Sequence, residues 1–150
     1  MGETPVLPGA QQRWAAIAQG MQQDLAAYGR LRELLEQQFH AALRHDAPAM
    51  AQLAQKITDQ ADALADSRGL RVAHARALLP AGAALSMSVL FGLLKAPLQQ
   101  QLQALWAQLE AQVQSCKALN LRNCELIMEQ ADLMRTVIAG GAQAEIYAPF

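Results

Sequence analysis

Apolar residues recur along this chain at helical spacing, not in the alternation of a strand. From Gln11 to Arg44 the stripe is Trp14, Ile17, Met21, Leu25, Tyr28, Leu35, Phe39 and Leu43, in steps of three, four or seven. This predicts a long amphipathic helix over 11–44. Gly20 and Gly29 lie inside it, each costing about 1 kcal/mol relative to alanine, and are read as a close helix contact or a bend. Asp46-Ala47-Pro48 follows; the carboxylate can cap free amides, and proline is tolerated in a first turn. A second helix is therefore predicted over 47–79, with the stripe Met50, Leu53, Ile57, Ala61, Leu64, Arg68, Val72, Ala75 and Leu79, closed by Pro80 and Gly82. The short link at 45–47 makes the two helices antiparallel.

Residues 81–94 are apolar but too few to span a bilayer, which needs about 20. A short helix over 86–94, capped near Ser86 and packed over one end of a bundle, is the plainer reading of this stretch. A mobile flap that covers or joins a partner groove is the alternative. Lys95-Ala96-Pro97 then opens a last helix, with proline in its first turn.

From Leu98 to Ala139, forty-two residues contain neither proline nor glycine, which at 1.5 Å per residue makes a rod about 60 Å long. Gly140-Gly141 is expected to end it, leaving 142–150 as a mobile tail. In its first half Leu98, Leu102, Leu105, Trp106, Leu109, Val113 and Cys116 fall within an arc of roughly 100°, the width that one core contact satisfies. Beyond Leu119 the apolar arc widens to about 200°, too broad for a single contact. Three explanations stay open: a central place in its own bundle, a homo-oligomer seam, or a docking surface for another protein's helix. The second helix spans only about 45 Å, so one end of the rod is expected to project. Asn120 and Asn123 lie on the seam, either fixing register or sitting at a wet helix end. Arg68 can lay its stem on the core and reach solvent with its guanidinium, or join an interfacial ion pair.

Composition agrees with an all-α protein, an antiparallel bundle of three long helices plus a short one between the second and third, forming a single domain over 1–150. The formal charge of −1 gives no field for nucleic acid. Cys116 and Cys124 are about 12 Å apart along one helix, too far for a disulfide, and read as buried thiols in a reducing cytoplasm. The amino-terminal residues lack the basic and apolar regions of a secretory leader. No Glu-x-x-His pair, phosphate loop, nucleophile elbow or Cys-x-x-Cys occurs, so no enzyme, metal or cofactor is expected. Asp24, Glu33, Asp59, Asp62 and Asp66 are read as solvated.

Asn120-Leu121-Arg122-Asn123-Cys124-Glu125-Leu126-Ile127 on the last helix, with Ile146-Tyr147-Ala148-Pro149-Phe150 near the end, resembles the FlgN family of flagellar export chaperones. That family carries Asn-x-x-Asn before apolar residues on its long helix and a Thr-Tyr-Gly type signature in its tail. Ile146 and Ala148 replace the threonine and glycine here. The likeness extends over most of the chain in helix order and length. It implies a cytoplasmic chaperone, monomeric or weakly dimeric, that binds the carboxy-terminal amphipathic helices of hook-associated proteins of the FlgK and FlgL type. Such a chaperone prevents their premature self-association and delivers them to the type III export gate or its ATPase complex, with no membrane insertion and no nucleic acid. The implied partner-binding residues are Leu119, Asn120, Asn123, Leu126, Ile127, Leu133, Met134 and Val137. Tyr147 is the candidate for export-gate docking, or else an aromatic that pins the tail. The rival reading is a self-associating helical adaptor or structural bundle with no export cargo.

Overall fold

The computed structural model describes residues 9–147, with side chains for 9–140. Among the described residues four helices follow one another: α1 (Ala10–Leu43), α2 (Ala47–Leu78), α3 (Met87–Phe91) and α4 (Leu98–Tyr147). The three long ones run up, down and up, and α1, not α4, is the helix shared by both neighbours. α1 can serve both because it has two buried faces. The Tyr28 and Leu35 carbonyls accept bonds from Cys116 and Asn123 of α4, while Asp24 pairs with Arg71 of α2 and Leu31 packs in a cluster with Leu64 of α2.

The α1–α2 reversal takes three residues. His45 adopts φ 54°, so its N–H reaches the Ala42 carbonyl and the Asp46 N–H reaches that of Ala41, both at 3.0 Å. This crossed pair satisfies carbonyls that a helix end leaves bare. Asp46 then caps α2 as its sequence foretells, accepting from the Ala49 N–H at 3.2 Å.

Several expectations need correction. Arg68 is exposed; the arginine of the α2 seam is Arg71, whose Nη1 lies 2.6 Å from Asp24 Oδ2. Asp24 is accordingly buried, not solvated. A Cβ added at Gly20 or Gly29 would meet nothing within 4 Å, so neither marks a close contact. Ser86 stands at the start of α3 without a side-chain cap bond, and α3 ends at Phe91, short of residue 94. Gly140-Gly141 does not stop α4, which continues to Tyr147. Glycine weakens a helix but keeps its N–H, whereas proline removes one, and the next proline is Pro149. Residues 142–147 are thus helical, and 148–150 lie outside the described residues.

α3 closes the bundle end where α1 begins. Leu90 and Phe91 are buried in a core with Ile17, Met21, Ala75, Leu79, Leu102 and Leu109. The Phe91 ring stacks on Trp14 and meets Trp106 edge-on, each at 6.5 Å.

Candidate functional site

The geometry of α4 follows from one repeat. Its buried positions Leu102, Leu109, Cys116 and Asn123 are spaced by seven, the period that keeps one helix face against a parallel partner. Cys116, Asn123 and, one heptad further on, half-buried Gln130 bond to main-chain carbonyls of α1 at a constant offset of 88 residues. Cys116 Sγ donates to Tyr28 O at 3.6 Å, Asn123 Nδ2 to Leu35 O at 2.7 Å, and Gln130 Nε2 to Ala42 O at 2.9 Å. Helix ladders leave a second lone pair on each carbonyl, and this series uses it to lock register.

Asn123 is the most specified rung. Its amide also donates to Gln38 Oε1 at 2.9 Å, and its own Oδ1 accepts from Arg122 Nε and Nη2 at 3.3 and 3.2 Å. Arg122 in turn lies 3.7 Å over the Phe39 ring and 3.3 Å from Glu36. A buried asparagine with both ends satisfied carries little desolvation penalty. Burial also pushes the Cys116 thiol up from its usual 9.0. The Tyr28 phenol rises from 10.0, chiefly by desolvation and then by the negative charge of Asp24.

The ladder ends at Gln130 because α1 ends at Leu43. α4 runs on through residues 131–147, about 25 Å at 1.5 Å per residue. The buried seam does not stop with its partner. Stepping by seven, Leu126, Ile127 and Gln130 continue as Leu133, Met134 and Val137, with Ile138 beside them. Leu126 and Ile127 are half-buried, whereas these four are 60–65% exposed. The apolar stripe that continues this face faces nothing beyond α1 among the described residues. Leu43, half exposed, is the last residue of α1 and follows Ala42, whose carbonyl Gln130 binds.

The sequence-derived set is thus divided by the structure. Leu133, Met134 and Val137 lie on the overhang, and Asn120 is exposed beside the bundle. Leu119 packs on the α1–α2–α4 core. Asn123 points into the bundle, bound to α1. Tyr147 closes α4, and its side chain lies outside the described residues. Sequence reasoning missed Arg71 with Asp24, and Arg122 with Phe39 and Glu36. The signal for Asp24 is its place midway between Ile17 and Leu31, seven residues from each.

Side clefts run along the bundle. One of about 690 Å³ lies between α2 and α4 over Tyr28, walled by Arg68, Arg71, Trp106 and Lys117. Another of about 510 Å³ lies between α1 and α4, around Gly29, Glu33 and Gln112. No group of three His, Cys, Asp or Glu placed to hold a metal occurs among the described residues. No described helix is long and apolar enough to cross a membrane.

Residues 14–140 match a family model described as FlgN protein, which covers the bundle and the start of the overhang. No curated protein and no solved structure matches the chain.

Proposed function

This chain belongs to the FlgN family of flagellar export chaperones, and on that premise we propose that it captures cargo on the overhanging end of α4. The cargo is the carboxy-terminal amphipathic helix of a hook-associated protein of the FlgK or FlgL type. That helix lies where α1 would run if it were longer, covering Leu133, Met134, Val137 and Ile138 and abutting Leu43. Covered in this way, its apolar face cannot pair with other subunits before export, the helix-in-groove mode of recognition. Leu126 and Ile127 flank the contact on the bundle side. Leu119 and Asn123 act from inside, holding α4 on α1 so that the stripe begins where the bundle ends. Asn120 lies on the solvent face of the same segment.

The observation that carries this reading is a core-type stripe continuing past the end of its partner helix. Burying four large apolar side chains yields roughly 6–12 kcal/mol gross. Association costs about 4–15 kcal/mol. The described stripe alone therefore supports modest affinity, and tight capture draws on Leu43 and on more of α4. Delivery to the export gate or its ATPase complex from the cytoplasm completes the proposal, with Tyr147, at the far end of the overhang, as the docking contact.

The test is retention of a hook-associated carboxy-terminal peptide by the full chain and by Leu133→Asp with Val137→Asp. Binding is lost in the double variant while helicity and melting temperature stay near the parent. Retained binding would contradict the proposal. So would a stable parent dimer that ignores the peptide and dissociates in the variant, since a second copy would then be what covers the stripe.

A further inference from the structure

We propose that the opposite end of the bundle, built from α3, the first turn of α1 and the last turn of α2, docks on the surface of an anionic phospholipid bilayer. At this end Leu90 and Phe91 turn inward, while Leu85, Val89, Leu93 and Leu98 project at 41–52% exposure. Residues 81–94 carry no charged side chain. Cations surround them: Arg13 in the first turn of α1, Arg76 in the last turn of α2, and Lys95 between α3 and α4. Residues 9–23 and 67–109 contain no aspartate or glutamate at all.

The nearest acids on the described helices are Asp24, Asp66 and Glu110, each twelve or more residues from the bundle end. That is roughly 18 Å or more of helix rise, over twice the ~8 Å screening length at physiological salt. Glu3 lies outside the described residues. Among the described residues the cap therefore presents positive charge with no acid beside it, around projecting apolar side chains, the pattern that holds a protein at an anionic interface.

A planar surface fits this end better than an acidic helix does. A helix needs a groove, and none of Leu85, Val89, Leu93 or Leu98 lines either of the two clefts described above. The contact is superficial, since no described helix can span. The other exposed stripe is unsuited to the same role, because Glu125, Glu129 and Asp132 stand around it on α4. The two surfaces occupy opposite ends of the molecule, so a docked chain presents its cargo stripe away from the membrane.

Co-sedimentation of the full chain with phosphatidylcholine vesicles, with and without phosphatidylserine, tests this. The chain binds the phosphatidylserine vesicles and releases them at high salt. Each cation near such a surface is worth roughly fivefold in affinity, so Arg76→Gln with Lys95→Gln weakens binding roughly 25-fold. Val89→Ser with Leu93→Ser also weakens it, and circular dichroism reports an unchanged fold in both variants. Leu133→Asp with Val137→Asp keeps vesicle binding while losing cargo, which separates this surface from the one proposed above. Equal binding to both vesicle types, or binding unchanged in the cap variants, overturns the proposal. An intact chain that ignores the vesicles also overturns it, leaving an acidic protein as the occupant. A parent dimer that dissociates on Val89→Ser does the same, assigning the cap to a second copy.

Discussion

The side-chain amide of Asn123, fully buried between α4 and α1, donates to the main-chain carbonyl of Leu35 across 2.7 Å. This bond, with its counterparts one heptad above and below, fixes which residue of α4 faces the end of α1. It therefore fixes where the uncovered stripe begins. Asn123→Leu removes the bonds to Leu35 and Gln38 and is expected to cost about 1–2 kcal/mol. Asn120→Leu, at an exposed position, is expected to stay within about 0.5 kcal/mol of the parent. Urea unfolding distinguishes two asparagines that the sequence places on one seam.

The Arg71–Asp24 pair is an ion pair inside the bundle, between α2 and α1. Both side chains are nearly buried, and the guanidinium also lies 5.7 Å from the Trp106 ring centre, tying α2 to α4 across α1. Removing one partner strands the other, so Asp24→Ala is expected to cost about 3–5 kcal/mol. Asp24→Leu with Arg71→Met should recover most of that loss, since an apolar pair of similar volume carries no desolvation cost. A double-mutant cycle by chemical denaturation checks both numbers.

Alkaline conditions should loosen the middle of the bundle. The Cys116 thiol is held above its usual 9.0 by burial, so the unfolded chain loses this proton first as pH rises. The associated stability is complete below pH 9 and declines as pH climbs through the raised folded value. Tyr28, whose carbonyl receives the thiol, adds a second decline of the same sign above its usual 10.0. Urea midpoints should fall as pH rises above about 9, and Cys116→Ala should remove the earlier part of the fall.

His45 holds a left-handed conformation that glycine adopts at no steric cost. His45→Gly should stabilise the chain by about 1 kcal/mol, raising the melting temperature by roughly 2–4 °C. A fall in melting temperature would show that the imidazole contributes something the turn geometry does not reveal.

Helix order, the tight reversal at Asp46 and the projecting end of α4 are all legible in residue spacing, because each follows from local propensity and length. What spacing cannot resolve is which helix a given face meets. Arg68 and Arg71 both fit the α2 stripe, at four and seven residues from Leu64, and only the carboxylate opposite, Asp24 on α1, selects Arg71. The wide apolar arc of α4 is equally compatible with a central place in the bundle. α1 holds that place because it carries two faces, one built partly of alanines, Ala27 and Ala41, that draw little notice as core. Gly140-Gly141 misleads for a related reason: glycine marks many helix ends but does not compel one.

Hydrogen exchange along α4, measured with and without the carboxy-terminal helix of a hook-associated protein, reads out whether cargo covers the overhang. Amides of residues 131–140 open readily in the free chain, where no neighbour supports that segment. Binding should slow their exchange strongly while leaving α2 and the first half of α4 unchanged. Tight binding with residues 131–140 still exchanging at the free rate would contradict the account, because cargo would then sit elsewhere and the uncovered seam would need another explanation.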